Sequence, residues 1–496
     1  MNKLIVVTLS AALAATCATA AFAAGHAKTG VSIGLQLEPP HLDPTAGAAG
    51  AIDDVTYANV FEGLTRINQN GEVLPALATS WDISEDGLTY VFTLADGVTF
   101  HDGTSFDAED AKFSLERILA EESENAQKAL YGAIGSVEAT DATTLTVILN
   151  KPDGKLLFSL GWGDAVMVAP ESAGDNKANP VGTGPFKVGE WTKGSTLTLE
   201  KNADYWGEEV ALEGATFRFI SDPAAAFNAM MAGDLDAFPN FPAPENIIQF
   251  EADPRFEVVI GSTEGETILS TNNMKPPFDN LKVRQAMAHA INRQSIIDGA
   301  MFGYGTPIGT HFAPHHPAYK DLTGAYEYDV EKAKALLSEA GFPDGFDATI
   351  KLPPPAYARR GGEIIAGDLR KIGINLEIIP VEWNVWLPEV FKAKDYDLTI
   401  VSHTEPLDIG IYARDDYYFQ FDNDEFDALI ADVNAEADPD KANEIYAQAQ
   451  QILSDNAVNG FLFQLAKHGV WNKHLEGMWE NAPIQGVDLT GVSWAK

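Results

Sequence analysis

The run from Gly345 to His403 constrains this chain more than any other stretch. GFDATIKL reads as a strand, GGEIIAGDLRKIG as a helix and INLEIIPV as a second strand, and YDLTIVSH, from 396, adds a further apolar strand. Strand, helix and strand in that order form a βαβ unit, whose two strands lie parallel with the helix covering one face of the sheet. The predicted fold class is therefore α/β. The segment that follows, VSHTEPLDIGIYARDDYYF (401–419), lies just past the C-terminal end of a sheet strand. Open α/β sheets take their ligands at such ends.

The rest of the chain carries the same alternation, punctuated by turn and cap residues. In LTYVFTLADGVTFHDGTSF (88–106), Leu88, Tyr90, Phe92 and Leu94 keep a two-residue period, and Asp86-Gly87, Asp96-Gly97 and Asp102-Gly103 mark tight turns. Asp107 and Asp110 open FDAEDAKFSLERI like a capping box, which predicts a helix there. Further helices are predicted from Asp222 to a stop at Gly233 and after Asp279 or Asn280, with Val283, Met287, Ala290 and Ile291 on one face. Another runs from a cap at Asp329 to a stop at Gly341.

The first 23 residues, MNKLIVVTLSAALAATCATAAFA, have the basic start, apolar middle and small-residue end of a secretory signal peptide, with cleavage expected before Ala24. Ala14 and Thr16 before Cys17 do not suit a lipoprotein signal, so no lipid anchor is expected. Cys17 is the one cysteine. Its removal with the signal would exclude disulfides, zinc-thiolate sites and a cysteine nucleophile. No later stretch offers about 18 uninterrupted apolar residues, and the product is expected to be soluble and exported to the periplasm. A length of 496 residues suggests two or three domains. The formal net charge of −39 argues against nucleic acid or anionic lipid as a partner and favours the approach of cationic solutes.

Common catalytic signatures are missing: the sequence holds no GxSxG elbow, no HExxH and no GxxxxGK[ST] loop. Asp96, Asp102 and Asp107 could be enlisted as a glycosidase pair, but turn and cap chemistry explains them. The remaining metal idea is THFAPHHPAY (310–319), with His311, His315 and His316 as weak candidates. Pro314 and Pro317 forbid a regular helix there, so a loop would have to gather these rings.

Taken together, LDPTAGA, NVFEGLTRIN, the 74–118 run, NPVGTGPFKV, NADYW, MMAGDLDA, PFDNLKVRQAMAHAINR and YDVEKAKALLSEAGF resemble the family 5 extracellular solute-binding proteins of ABC importers, the dipeptide, oligopeptide and nickel-binding group. Ala95 departs from the pattern, standing where the family usually carries a basic residue. The resemblance implies a periplasmic-binding-protein-like fold of two hinged α/β lobes with an extra inserted domain. The first lobe would comprise 24–50, 180–262 and 476–496, the inserted subdomain 51–179 and the second lobe 263–475, with crossings near 262–266 and 472–480. It implies a monomer that captures a small molecule or short peptide and passes it to a membrane permease, with no enzymatic activity and no cofactor.

By the same resemblance, the acids after the 398–403 strand would pair with a ligand's amino group. Glu405 and Asp408 are the candidates, with His403 in the neighbourhood of the relatives' aromatic residue and Tyr412, Tyr417 and Tyr418 lining the pocket or packing beneath it. Glu38, Trp383, Trp386 and Tyr357 match other positions that approach ligand in relatives. No Arg precedes Tyr357 to take a peptide carboxylate, and Arg359, Arg360 or Arg414 would have to substitute. A metal chelate or oligosaccharide as cargo, and a secreted hydrolase using paired carboxylates, stay open as alternatives.

Overall fold

Eleven strands of the computed structural model run edge to edge in one mixed sheet. In chain order they are β1 (Gly30–Leu35), β2 (Phe186–Thr192), β3 (Thr196–Lys201), β4 (Gly214–Phe219), β5 (Ala237–Phe238), β6 (Phe256–Thr271), β7 (Thr306–Pro307), β8 (Phe346–Leu352), β9 (Ile374–Pro380), β10 (Leu398–His403) and β11 (Gly460–Asn472). Across the sheet the order is β9-β8-β10-β6-β11-β5-β1-β4-β3-β2, with β7 paired to β11. The structure describes residues 28–47, 49–436 and 438–495, so the expected signal peptide and Cys17 lie outside it. Among the described residues no helix is long and apolar enough to cross a membrane.

The βαβ unit forms as the sequence predicts. β8 and β9 are parallel, with Phe346 opposite Ile374, and the helix Ala356–Arg370 joins them. Gly362 explains the glycine pair inside that helix, because a Cβ there would stand 2.4 Å from a Leu352 methyl and push the helix off the sheet. Capping and turn residues act where expected. Asp107 and Asp110 complete a capping box on Ala108–Leu119, Asn280 and Asp329 cap their helices, and Gly87, Gly97 and Gly103 turn at positive φ. Asp102 accepts from the Thr104 amide at 2.9 Å within its own turn.

Two strands tie the halves of the sheet together. The first part of β6 pairs antiparallel with the end of β11, from Phe256 opposite Asn472 to Ser262 opposite Ala466. After a register shift the second part pairs with the start of β11, with Glu266 opposite Gln464. The pairing is interrupted between Ser262 and Glu266 on β6, opposite Ala466 and Gln464 on β11.

Separate cores lie on either side. Ile33, Leu197, Phe217 and Leu489 centre the core of the β1–β5 half, and Leu269, Ile350, Ile365 and Leu398 centre one core of the β8–β10 half. A second core in that half is aromatic, with Trp386, Tyr396, Tyr412, Tyr418, Phe419 and Phe426. A four-stranded antiparallel sheet (Ala78–Ile83, Thr89–Leu94, Thr144–Leu149, Ile134–Asp141) packs on the helix Ala108–Leu119 around Phe92, Leu115 and Val147. Segment 51–179 feeds this core and also sends Val55, Val60, Phe61, Val166 and Val168 into that of the β1–β5 half.

Several of the sequence motifs prove to be structural. The half-buried Glu62 of NVFEGL accepts from Thr183 Oγ1 of the VGTGPF turn at 2.8 Å and from Tyr205 and Trp206 of NADYW at 2.8 and 2.9 Å. One carboxylate therefore binds three distant motifs together.

Candidate ligand-binding site

The site is built where β6 and β11 cross, and the sheet register places its first row. Glu266 stands opposite His403 at the end of β10 and opposite Gln464 on β11. Directly opposed residues of an antiparallel pair share a face, so His403, Glu266 and Gln464 form one polar row across three strands. All three are buried. Gln464 Nε2 donates to the Thr263 carbonyl, which fixes the amide orientation and leaves Oε1 without a donor. Glu266 Oε2 likewise has no partner. Burial first, then the nearby Glu264 and Asp408, pushes the Glu266 carboxyl well above the ordinary range.

Glu264, two residues earlier on the same strand, is also buried, and burial raises its carboxyl. Its Oε1 lies 2.6 Å from His315 Nε2, an ion-pair distance out of line for a straight hydrogen bond, and Ser262 Oγ sits 2.8 Å from His315 Nδ1.

Beyond β10 the chain reverses at Leu407, whose φ of 56° is uncommon for a branched residue. Such a conformation persists where the surroundings enforce it. Here Lys155 Nζ, on the 152–155 loop of the inserted segment, donates to the Leu407 carbonyl at 3.0 Å, and the neighbouring Gly154 amide donates to the Asn434 carbonyl at 2.7 Å. This turn sets Asp408 between two imidazoles. Oδ1 is 2.7 Å from His311 Nε2 and Oδ2 is 3.3 Å from His403 Nδ1. Burial alone would raise the Asp408 carboxyl, but the two rings hold it well below the usual range. His311 reaches the site on the loop after β7. Buried Gln450 secures that loop, donating to the Ala318 carbonyl at 2.7 Å and accepting from the Lys320 amide at 2.9 Å.

The other sequence candidates are dispersed. Glu405 is exposed, accepts from the Thr404 amide at 3.2 Å and forms no ion pair among the described residues, yet its charge reaches Glu266. Tyr412 is buried in the aromatic core with its hydroxyl 3.2 Å from His311 Nδ1. Tyr417 and Tyr418 are buried beside it. Trp386 is core, donating to Thr399 Oγ1 at 3.0 Å, while Trp383 stays partly exposed and edge-on to it. Tyr357 accepts from the Ser402 amide at 3.3 Å. Arg414 lies over the Tyr417 ring and toward exposed Asp416.

Glu38 is elsewhere: it accepts from Trp191 Nε1 at 3.0 Å and the Gly194 amide at 2.9 Å, bracing the β2–β3 hairpin. The three loop histidines do not converge. His311 turns to Asp408, His315 to Glu264, and His316 accepts from the Ala318 amide against Phe312, its imidazole lowered to about 3 by burial. Sequence reading missed Glu264, Glu266, Gln464 and Lys155. Two acids two apart in an apolar strand, GSTEGETILST, were the available signal for the first pair.

The arrangement concentrates Glu264, Glu266, Glu405 and Asp408 at one crossing. No Lys or Arg forms an ion pair with any of them among the described residues.

Comparison with known proteins gives a consistent result. The profile of the bacterial extracellular solute-binding proteins, family 5, middle region, matches residues 72–408. Heme-binding protein A of Haemophilus influenzae is 29% identical over 468 residues, covering 84% of each chain. The dipeptide-binding protein of Escherichia coli is 28% identical, covering 84% of this chain and 86% of the relative. Among solved structures, HbpA2 from Haemophilus parasuis superposes with a TM-score of 0.86 at 25% identity, over 94% of this chain and all of that one.

Proposed function

Because the chain belongs to family 5 of the bacterial extracellular solute-binding proteins, we propose that it captures a peptide or another amine-bearing small solute in its interlobe cleft and delivers it intact to the permease. Proteins of this family serve ABC importers as binding subunits and not as enzymes, so the hydrolase alternative is set aside. The fold is the two-lobed binding-protein type with an inserted domain. In our reading the protein is a periplasmic monomer, freed from its signal peptide and without a lipid anchor. Its lobes divide at Ser262–Glu266 and Gln464–Ala466.

One observation carries the ligand class: among the described residues the adjacent buried acceptors Glu266 Oε2 and Gln464 Oε1 have no donor, within a group of acids with which no Lys or Arg forms an ion pair. An ammonium brings three donors and a positive charge. Away from bulk water, charge-assisted hydrogen bonds from such a group are stronger than neutral ones. Glu405 supplies an exposed carboxylate for the same cation. Asp408 is the less available acid, since both its oxygens already face histidines.

The test is a thermal-shift and scattering screen with short peptides, each paired with its N-acetylated form. Free-amine peptides should stabilise the protein, by about 2.7 kcal/mol at a hundredfold excess over Kd, and compact it. Acetylation should abolish both effects. Equal stabilisation by the acetylated forms would remove the amine from the reading, and no stabilising peptide together with no compaction would remove peptides. Mass spectrometry of solutes released on denaturation identifies the natural guest.

A further inference from the structure

We propose that His311, His403 and Asp408 form a binding site for one divalent transition-metal ion of the zinc, nickel and cobalt class. The three come from separate segments: the loop after β7, the end of β10 and the turn that follows it. Their donor atoms lie within 4.8 Å of one another, and both imidazoles are buried. Donor atoms sharing a tetrahedral ion stand roughly 3 to 3.5 Å apart, given metal-ligand bonds of about 2.0 to 2.2 Å. His403 Nδ1 lies 3.3 Å from Asp408 Oδ2 and His311 Nε2 2.7 Å from Oδ1, so the carboxylate presents one oxygen to each ring, and all three side chains would have to adjust slightly to share one ion.

The surroundings supply the support that metal-binding imidazoles require. On each ring the nitrogen remote from Asp408 meets a tyrosine hydroxyl: His311 Nδ1 to Tyr412 at 3.2 Å and His403 Nε2 to Tyr418 at 3.1 Å. Such outer contacts fix ring orientation and tautomer. Tyr412 is itself held by Asn459 Nδ2 at 2.9 Å and stacked on Phe419 with ring centroids 4.3 Å apart. Two imidazoles and one carboxylate select borderline metals over magnesium or calcium, which prefer oxygen donors. An ion here also places positive charge beside Glu264, Glu266 and Glu405. Three protein donors leave a position open on a four-coordinate ion. The site shares His403 and Asp408 with the candidate guest site but does not use the Glu266 and Gln464 acceptors, and it rests on the geometry of the triad and not on the guest reading.

Chelator-stripped mature protein titrated with Co2+ alone should take up one saturable equivalent with visible d–d absorption, and Zn2+ should displace it. His311→Ala and His403→Gln should each weaken uptake at least roughly tenfold, and Tyr412→Phe roughly 10- to 100-fold. His316→Ala, in the same loop but outside the triad, should bind as before. Should the histidine variants fail to fold, imidazole nitrogen NMR of the unaltered protein decides: Zn2+ must shift His311 Nε2 and His403 Nδ1 and spare His316. No saturable uptake by unaltered protein, or uptake unchanged in both histidine variants, overturns the proposal. Uptake lost only in His315→Ala would assign the metal to the Glu264 side and overturn it equally. Peptide binding to the stripped protein is measured separately, so failure of one reading leaves the other standing.

Discussion

Glu266 costs the empty protein stability, because a buried carboxyl oxygen without a donor gives up its hydration for nothing. Glu266→Gln should therefore raise the melting temperature of the empty protein while weakening amine binding by about 1.5–3 kcal/mol, the range for hydrogen bonds to charged groups. Paired calorimetric melts and titrations check both signs. A second buried carboxyl makes stability depend on pH. Burial lifts Asp164 to about 7, and its neighbour Asp53 is also held well above the ordinary carboxylate range, by burial and then by Asp164. The folded chain keeps a proton on Asp164 that the unfolded chain has lost above about pH 4. The Asp164 contribution to stability should then fall as pH climbs from about 4 to about 7, by as much as ~4 kcal/mol. Denaturant titrations across that window should show the slope, and Asp164→Asn should reduce it. Site residues were legible where chemistry is local. His403, Glu405 and Asp408 stand out after an apolar strand, and His311 stands out in its loop. His311's partner was hidden, because Asp408 is 97 positions away and only the folded sheet brings them together.

Elements were legible wherever a cap or turn residue marks them. Asp107→Ala should destabilise the inserted domain by about 1 kcal/mol, seen as a lower urea midpoint, since the capping box at Ala108–Leu119 loses a side-chain acceptor. The βαβ unit was equally plain, because the two-residue and 3.6-residue periods switch cleanly between Phe346 and Pro380. The register shift between β6 and β11 was not. Nothing local to Gln464–Ala466 breaks the strand pattern, and the shift arises only in pairing with Ser262–Glu266 some 200 residues earlier. Glu62 teaches the converse: NVFEGL, VGTGPF and NADYW look like separate signatures in sequence but meet around one side chain.

At the scale of the whole molecule, the 152–155 loop joins the inserted domain to the β8–β10 half through Gly154 and Lys155. Gly154→Ala would place a Cβ 2.1 Å from the Glu436 carbonyl oxygen and should pry this contact open. Lys155→Ala should remove about 1 kcal/mol of the same contact, a shift of roughly fivefold between open and closed populations. Small-angle scattering should record a larger radius of gyration for both variants without guest. The continuity of β6 and β11 across the boundary sets how such motion is borne. Two strands that run continuously from one half into the other would act as a torsion bar: a swing of the lobes would be absorbed as added twist over successive peptides instead of rotation at one swivel. With Glu264 and Glu266 on that bar, a cation held as proposed would grip the segment that winds and unwinds, and its departure would slacken the bar for the next cycle.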